Sequence, residues 1–196
     1  YNGAEKKPTV AVSGDSVANT YDKDYLKTTD NYTWSYAGSN GLVNAGSIVT
    51  VTGTLTGDKA KYYTGTLTKT FTIGKLAVTS NSLIVKVANT DKEIAYTGND
   101  AETVDASEVN VYLPDANDGT KASNISLNEY IKKVTVDASS TGRKGLTVTL
   151  DGTKLKNSTN FSSANDADVP LTKTSDDTNT GTKNTVKVVP VDLSGI

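Results

Sequence analysis

The chain has no cysteine, no histidine and no methionine, and only one tryptophan and two phenylalanines. Without cysteine there is no disulfide, so the chain must fold by packing alone, unlike many small secreted domains. Without histidine it lacks the commonest metal ligand and the commonest general base. A Ser-His-Asp or Cys-His constellation within the chain is therefore excluded. No apolar run approaches the ~18–20 residues of a membrane span. A dominant charge sign is missing as well. Net charge is −2, residues 1–75 carrying eight basic and six acidic side chains and residues 76–196 twelve and sixteen. Neither half has the basic stripe of a nucleic-acid binder, so no nucleic-acid partner is expected.

What is present is threonine, the commonest residue, whose β-branch suits strands. Apolar content is 35% and mean hydropathy −0.40, which fits small β domains that bury one face. Period-2 alternation dominates. In Ser47 to Leu55, Val49, Val51 and Leu55 point one way, and Ile48 and the threonines point the other. In Gly65 to Ile73, Leu67, Phe71 and Ile73 share a face opposite four threonines. Both runs follow the half-buried strand pattern. Leu83 to Val87, Val109 to Leu113, Val134 to Ala138, Leu146 to Leu150 and Val186 to Val191 read alike. Ser39-Asn40-Gly41, Asn44-Ala45-Gly46, Asp118-Gly119 and Asp151-Gly152 are turn signals, because Gly and Asn tolerate positive φ. Asp151-Gly152, between Leu150 and Leu155, is expected to close a hairpin. Ser126-Leu127-Asn128-Glu129 has the spacing of a capping box, so a short helix is expected near 126–133. Asn157 to Asn184, rich in Asn, Ser, Asp and Thr, reads as long loops.

The sequence also repeats. Tyr1-Asn2-Gly3 recurs as Tyr96-Thr97-Gly98, and Pro8 to Val12 has a counterpart in Val109 to Leu113. Tyr25-Leu26-Lys27 is echoed by Tyr130-Ile131-Lys132. A unit of this size points to a tandem array of small domains. The expected boundary follows the Phe71–Ile73 strand, giving modules 1–75 and 76–196. The fold class expected is all-β, as two immunoglobulin-like sandwiches. The alternative is a β-grasp-like fold built around the helix near 126–133.

In the first unit, Lys7-Pro8-Thr9-Val10, Asp30 to Tyr36, Asn44-Ala45-Gly46 and Tyr63 to Ile73 fall in an order that resembles the MBG-type repeats of bacterial surface proteins. The second unit keeps Tyr96-Thr97-Gly98 and a closing Val186-Lys187-Val188. It loses the aromatic strand and the Tyr-Thr-Gly-Thr block. The resemblance implies secreted or wall-anchored tandem modules with spacing or adhesion roles, no catalysis and no cofactor. It also implies a strand ahead of each Tyr-x-Gly. Leu76 to Tyr96 supplies one for the second unit, while the first module is expected to miss its own. Val191 to Ile196 looks like the start of another such strand. The expectation is a frayed edge at Pro8–Val12, or a neighbour's C-terminal segment paired there.

Tyr32, Trp34 and Tyr36, at i, i+2 and i+4, put three rings on one strand face. Such a row can stack on sugars, which makes a polysaccharide such as starch a candidate partner. The polar Thr33 and Ser35 opposite favour instead a core face, with Trp34 beside Phe71 and Val51. Tyr62 and Tyr63 point to opposite faces, so one of them is expected in solvent, and both join Tyr32, Trp34 and Tyr36 as glycan candidates. Asp115 to Gly119 and the pair Asp166 and Asp168 offer oxygen ligands but lack EF-hand spacing, so no metal is expected. Lys69 and Lys86 are conceivable isopeptide donors, but snorkelling side chains explain them as well. The function expected is a non-catalytic, extracellular spacer, adhesin or self-assembling surface-layer or filament repeat. Its partners would be neighbouring repeats or further copies, and the alternative is a carbohydrate-binding module.

Overall fold

Alternation becomes strand pairing wherever a run finds a partner. The computed structural model describes residues 1–13, 22–89, 91–173 and 185–194. The chain divides into two units, Tyr1–Lys75 and Leu76–Ile196, and is mostly β, with two short α-helices among the described residues.

In the first unit, helix α1 (Lys23–Lys27) precedes strands β1 (Tyr32–Gly38), β2 (Ile48–Leu55) and β3 (Leu67–Thr72). The strands form an antiparallel sheet in the order β1-β2-β3. Register sets Trp34 opposite Gly53 and Gly53 opposite Leu67, with Tyr36, Val51 and Lys69 forming the next row. Val49 and Val51 are buried on this face, while Ile48 on the other is 53% exposed. That other face is a plain of short polar side chains, among them Thr33, Ser35, Thr50, Thr52, Thr68 and Thr70. At the turn before β2, Gly46 takes a positive φ of 80°, and its N–H donates to Ile73 O at 2.7 Å. The fully buried Ser47 hydroxyl donates to Gly41 O at 2.7 Å and accepts from Asn40 N. Strand β3 departs from expectation. Ile73 is buried, but Leu67 is 41% exposed. β3 is an edge strand, so less of its apolar face is covered than its alternation predicts.

The second unit has two larger sheets. Strand β4 is Leu76–Ala77, β5 Ile84–Val87, β6 Glu93–Ala95, β7 Glu102–Val104, β8 Val109–Pro114, β9 Ala122–Ser126, β10 Ile131–Val136 and β11 Gly142–Leu150. Helix α2 (Gly152–Asn157), β12 (Phe161–Ser162), β13 (Val169–Lys173) and β14 (Thr185–Val189) follow. One sheet runs β6-β14-β11-β10-β7, with β13 also on β11; another runs β5-β8-β9, and β12 pairs with β4. Leu146, Val148, Leu150, Val134 and Val186 on the first, with Val85, Val109 and Val111 on the second, are almost wholly buried.

Three local expectations give way here. Asp151-Gly152 closes no hairpin. The Asp151 carboxylate accepts from Lys154 N at 3.0 Å and caps α2, since Asp serves an N-cap as readily as a turn. The 126–133 stretch forms no α-helix. Ser126 ends β9, its hydroxyl accepts from Asn128 N, and a 3-10 turn, Asn128–Tyr130, leads into β10. Leu127 and Tyr130 are buried there as core residues, which accounts for their helix-like spacing. The stretch read as loops contains β12 and β13, with Phe161, Val169 and Leu171 buried; residues 174–184 lie outside the described ones.

A common frame links the units. β10-β11-β14 repeats the order and antiparallel sense of β1-β2-β3. Tyr32 faces Leu55, and Thr56 N donates to Asn31 O at 2.8 Å; Ile131 faces Leu150, and Asp151 N donates to Tyr130 O at 2.8 Å. The Tyr1 ammonium donates to Gly74 O at 2.6 Å, and Tyr96 N donates to Val189 O at 2.8 Å. In the second unit β6, which runs directly into Tyr96, lies parallel to β14, from Glu93 opposite Lys187 to Ala95 opposite Val189.

Gly152 shows how tightly the inserted α2 is held. A Cβ there would lie 2.3 Å from Asp166 O and 2.4 Å from the Ala167 carbonyl. Both are backbone atoms that cannot swing away. Gly152→Ala should therefore destabilise the second unit by ~1–3 kcal/mol, the usual cost of overpacking, measured by urea unfolding. An unchanged midpoint would show that the loop moves aside freely.

Candidate functional site

A groove of about 870 Å³ lies on the first unit's apolar sheet face. Its floor includes Trp34, Val51 and Gly53, and Leu26 of α1 also lines it. The floor owes its shape to Gly53. A Cβ there would stand 2.5 Å from Trp34 Cζ3, so the indole lies flat across the neighbouring strand only because that position has no side chain. Tyr32 packs beside it, ring centroids 5.5 Å apart.

The polar tips of these rings are all used inside the unit. Tyr32 OH donates to Leu26 O at 2.8 Å, Trp34 Nε1 to Thr29 O at 3.2 Å and Tyr36 OH to Pro8 O at 2.9 Å. Tyr25 OH does the same to Thr56 O at 2.7 Å. The rings thus fasten α1 and the N-terminal segment to the sheet. The three rings of β1 are half-buried. Trp34 shares the face of Val51 and Phe71, yet it is not enclosed as a core ring. Of the other pair, Tyr62 is 70% exposed, with Lys61 Nζ 5.1 Å from its ring. Tyr63 is half-buried, its hydroxyl donating to Asp22 Oδ2 at 3.0 Å. Tyr63 lines the groove with Tyr32 and Trp34, whereas Tyr36 and Tyr62 do not line it. Helix α1, with buried Leu26, was missed in the sequence because five residues carry little periodicity.

Beside the groove, Lys59 pairs with Asp22. The Lys59 hydrogen bond, helped by that from Tyr63, holds the Asp22 carboxyl below its usual range. The same contact pushes Lys59 up, while burial and Asp22 together push up the Tyr63 phenol. This is an acid, a base and a phenol locked to one another, with the carboxylate fixed in its ionised form. A general acid or base poised near neutrality needs the opposite.

The acidic loops are equally self-satisfied. Asp115 Oδ1 accepts from Asn117 N and Asp118 N. Asp118 accepts from Thr120, through both its hydroxyl and its N–H, and from Lys121, and its pKa falls to about 2. Asp166 pairs with Lys156 and Asp168 with Lys132, so the two do not converge. Among the described residues no group of three or more acidic side chains is placed to hold a metal ion. Lys86 and Lys69 are exposed, Lys86 lying 5.8 Å over the Tyr112 ring. No protein-family model matches the chain, and no curated protein matches it in sequence.

Two predictions follow from this geometry. Trp34→Ala should cost about 2 kcal/mol, because a half-buried ring forfeits only part of the area term of a core aromatic. A loss above ~4 kcal/mol in denaturant titration would mean full enclosure. The second concerns pH. Asp22, Asp105, Asp118, Asp137, Asp168 and Glu102 all have lowered pKa values, chiefly through hydrogen bonds. Their contribution is present above the unfolded carboxyl value of about 4 and drains away as pH falls through the folded values. Lys59, Lys121, Lys132 and Lys156 are raised, so their share is lost only as pH climbs past about 10.5. With no histidine, melting temperature should be flat from about pH 5 to 7 and fall below about pH 4. A step near pH 6 by circular dichroism would contradict this.

Proposed function

We propose that the chain is a pair of tandem, non-catalytic β modules, the second an immunoglobulin-like sandwich, from a bacterial cell-surface or secreted protein. Their work is to space or join other parts of a surface array. The observation that carries the reading is the shared frame. Two units of different loop content keep one three-strand order, one register at the β1/β2 and β10/β11 ends, and one hydrogen bond from the Tyr-x-Gly tyrosine. Reuse of a frame with divergent loops is what a repeat array requires. The resemblance of Tyr63 to Ile73 and its companion blocks to MBG-type repeats supports an extracellular setting. The locked Asp22–Lys59–Tyr63 cluster supports the absence of catalysis.

Carbohydrate binding is the second reading, favoured by the groove that Tyr32 and Trp34 line. Against it, the ring donors that would hold sugar hydroxyls are already bound to backbone carbonyls.

The test is protease shaving of intact cells that make the protein, alongside assays of the pure chain on glycan and peptide panels. Release of its peptides from the surface with no turnover is the expected result. Recovery from the cytosol alone, or turnover abolished by one carboxylate substitution, would sink the reading.

A further inference from the structure

Among the described residues, every edge strand but one is guarded. An unpaired edge is a template for another chain, and proteins blunt it with charge, proline, irregularity or shortness. β3 carries Lys69, β5 Lys86, β6 Glu93 and β7 Glu102. β13 has Pro170, the pairing of β9 is broken by a register shift, and β4 and β12 have two residues each. β1 has none of these devices. It runs for seven residues without a charge or a proline, and it pairs with β2 without a shift. Its tyrosines, tryptophan and threonine are residues that strands favour.

The corresponding edge of the second unit, on β10, is covered by β7. In the first unit the segment that follows Tyr1-Asn2-Gly3 goes elsewhere. Lys6 N donates to Leu42 O, and Pro8 O accepts from the Tyr36 hydroxyl. That holds the segment at the tip of a ring on the apolar face, away from the β1 backbone. The backbone groups on the bare edge follow from the pairing. Ser39 N donates to Ile48 O and Thr56 N to Asn31 O. Odd-numbered residues of β1 therefore turn their backbone to β2, and even-numbered ones turn it outward. Tyr32 N donates to Thr29 O, and Gly38 O accepts from Gly41 N. Among the described residues this leaves the N–H groups of Trp34, Tyr36 and Gly38 without an acceptor, and the carbonyls of Tyr32, Trp34 and Tyr36 without a donor.

We propose that β1 pairs antiparallel with β1 of a second copy of the chain, about a two-fold axis through Ser35. In this register Tyr32 faces Gly38, Thr33 faces Ala37, Trp34 faces Tyr36 and Ser35 faces its own copy. Gly38 N then meets Tyr32 O, Trp34 N meets Tyr36 O and Tyr36 N meets Trp34 O, so every free donor of the edge finds a free acceptor. Sliding by two residues would set Gly38 N against Asp30, outside the strand, or Trp34 N against the Gly38 carbonyl that is already taken. On the apolar face each Trp34 stands across from a Tyr36, an aromatic cross-strand pair. On the other face Thr33, Ser35 and Ala37 continue the plain of short side chains, and no like charges meet. The product is one sheet in the order β3-β2-β1-β1-β2-β3, closed by its symmetry at two copies. It adds a lateral join that the array reading does not specify, and it rests on the sheet alone.

Ser35 is exposed and the chain has no cysteine. Across the axis it forms a non-hydrogen-bonded pair with Cα atoms about 4.5 Å apart, within disulfide reach. Ser35→Cys should therefore oxidise to a covalent dimer. Thr33→Cys, exposed on the same face, should stay monomeric, because its two copies lie about 13 Å apart along the strands. Thr33→Cys combined with Ala37→Cys should cross-link again. In sedimentation velocity up to about 1 mM, the unaltered chain should rise from 20.6 kDa toward twice that mass and no further. Ser35→Lys, which sets two ammonium groups on the axis, should restore the monomer with an unchanged melting temperature. A monomer at every concentration, equal cross-linking of the two single-cysteine variants, association untouched by Ser35→Lys, or mass climbing past the dimer would each overturn the proposal. None of these touches the array reading, which turnover or recovery from the cytosol alone would sink.

Discussion

Each unit hangs on one central strand and on what its apolar face can bury. β2 carries a neighbour on either side in the first unit, as β11 does in the second. Both present their valines and leucines to one side, where Val49, Leu146, Val148 and Leu150 are fully buried. With no cysteine to form a disulfide, that burial must offset the ordering of the chain, at roughly 25 cal/mol per Å² of apolar surface. The second unit supplies a second sheet to cover the face. Among the described residues, the first uses α1 and an N-terminal segment hung on tyrosine and tryptophan tips. Small domains have thin margins, and each such tether both closes a donor and holds a piece of cover in place.

The strands were legible because alternation is local. Val49 and Val51, Val109 and Val111, and Leu146 and Val148 announce an inward face without reference to anything distant. What failed was what depends on partners far along the chain. Asp151-Gly152 satisfies the chemistry of a hairpin and of a helix cap equally. The choice fell to the approach of the Asp166–Ala167 backbone, which the local sequence cannot register. Val169 to Lys173 was hidden in a polar stretch and is a strand because β11 offers it an edge. Leu67 shows the reverse case, an inward-patterned residue left exposed where cover runs short.

The site was legible to a similar depth. That Tyr32, Trp34 and Tyr36 share a face follows from spacing alone. How far they are covered does not, since it depends on Leu26, on Pro8 and on the missing side chain at Gly53. The tethering of every ring donor on this face was likewise invisible, because its acceptors are backbone carbonyls that carry no sequence signal. The locked Asp22–Lys59–Tyr63 cluster joins residues from α1's start and the loop after β2, and only the fold brings them together.

The parallel pairing of β6 with β14 has a mechanical consequence. Parallel neighbours carry the chain in the same direction, so it comes in at one end of the pair and goes out at the other. Tension that reaches β6 from its N-terminal side and β14 from its C-terminal side pulls the two strands past each other along their length. The bonds from Lys187 to Val189, and the Lys187–Glu93 ion pair at 2.6 Å, are then loaded in shear and must give together. In an antiparallel hairpin pulled from its two ends they would open one after another. A unit closed in this way resists stretching along the seam between β6 and β14.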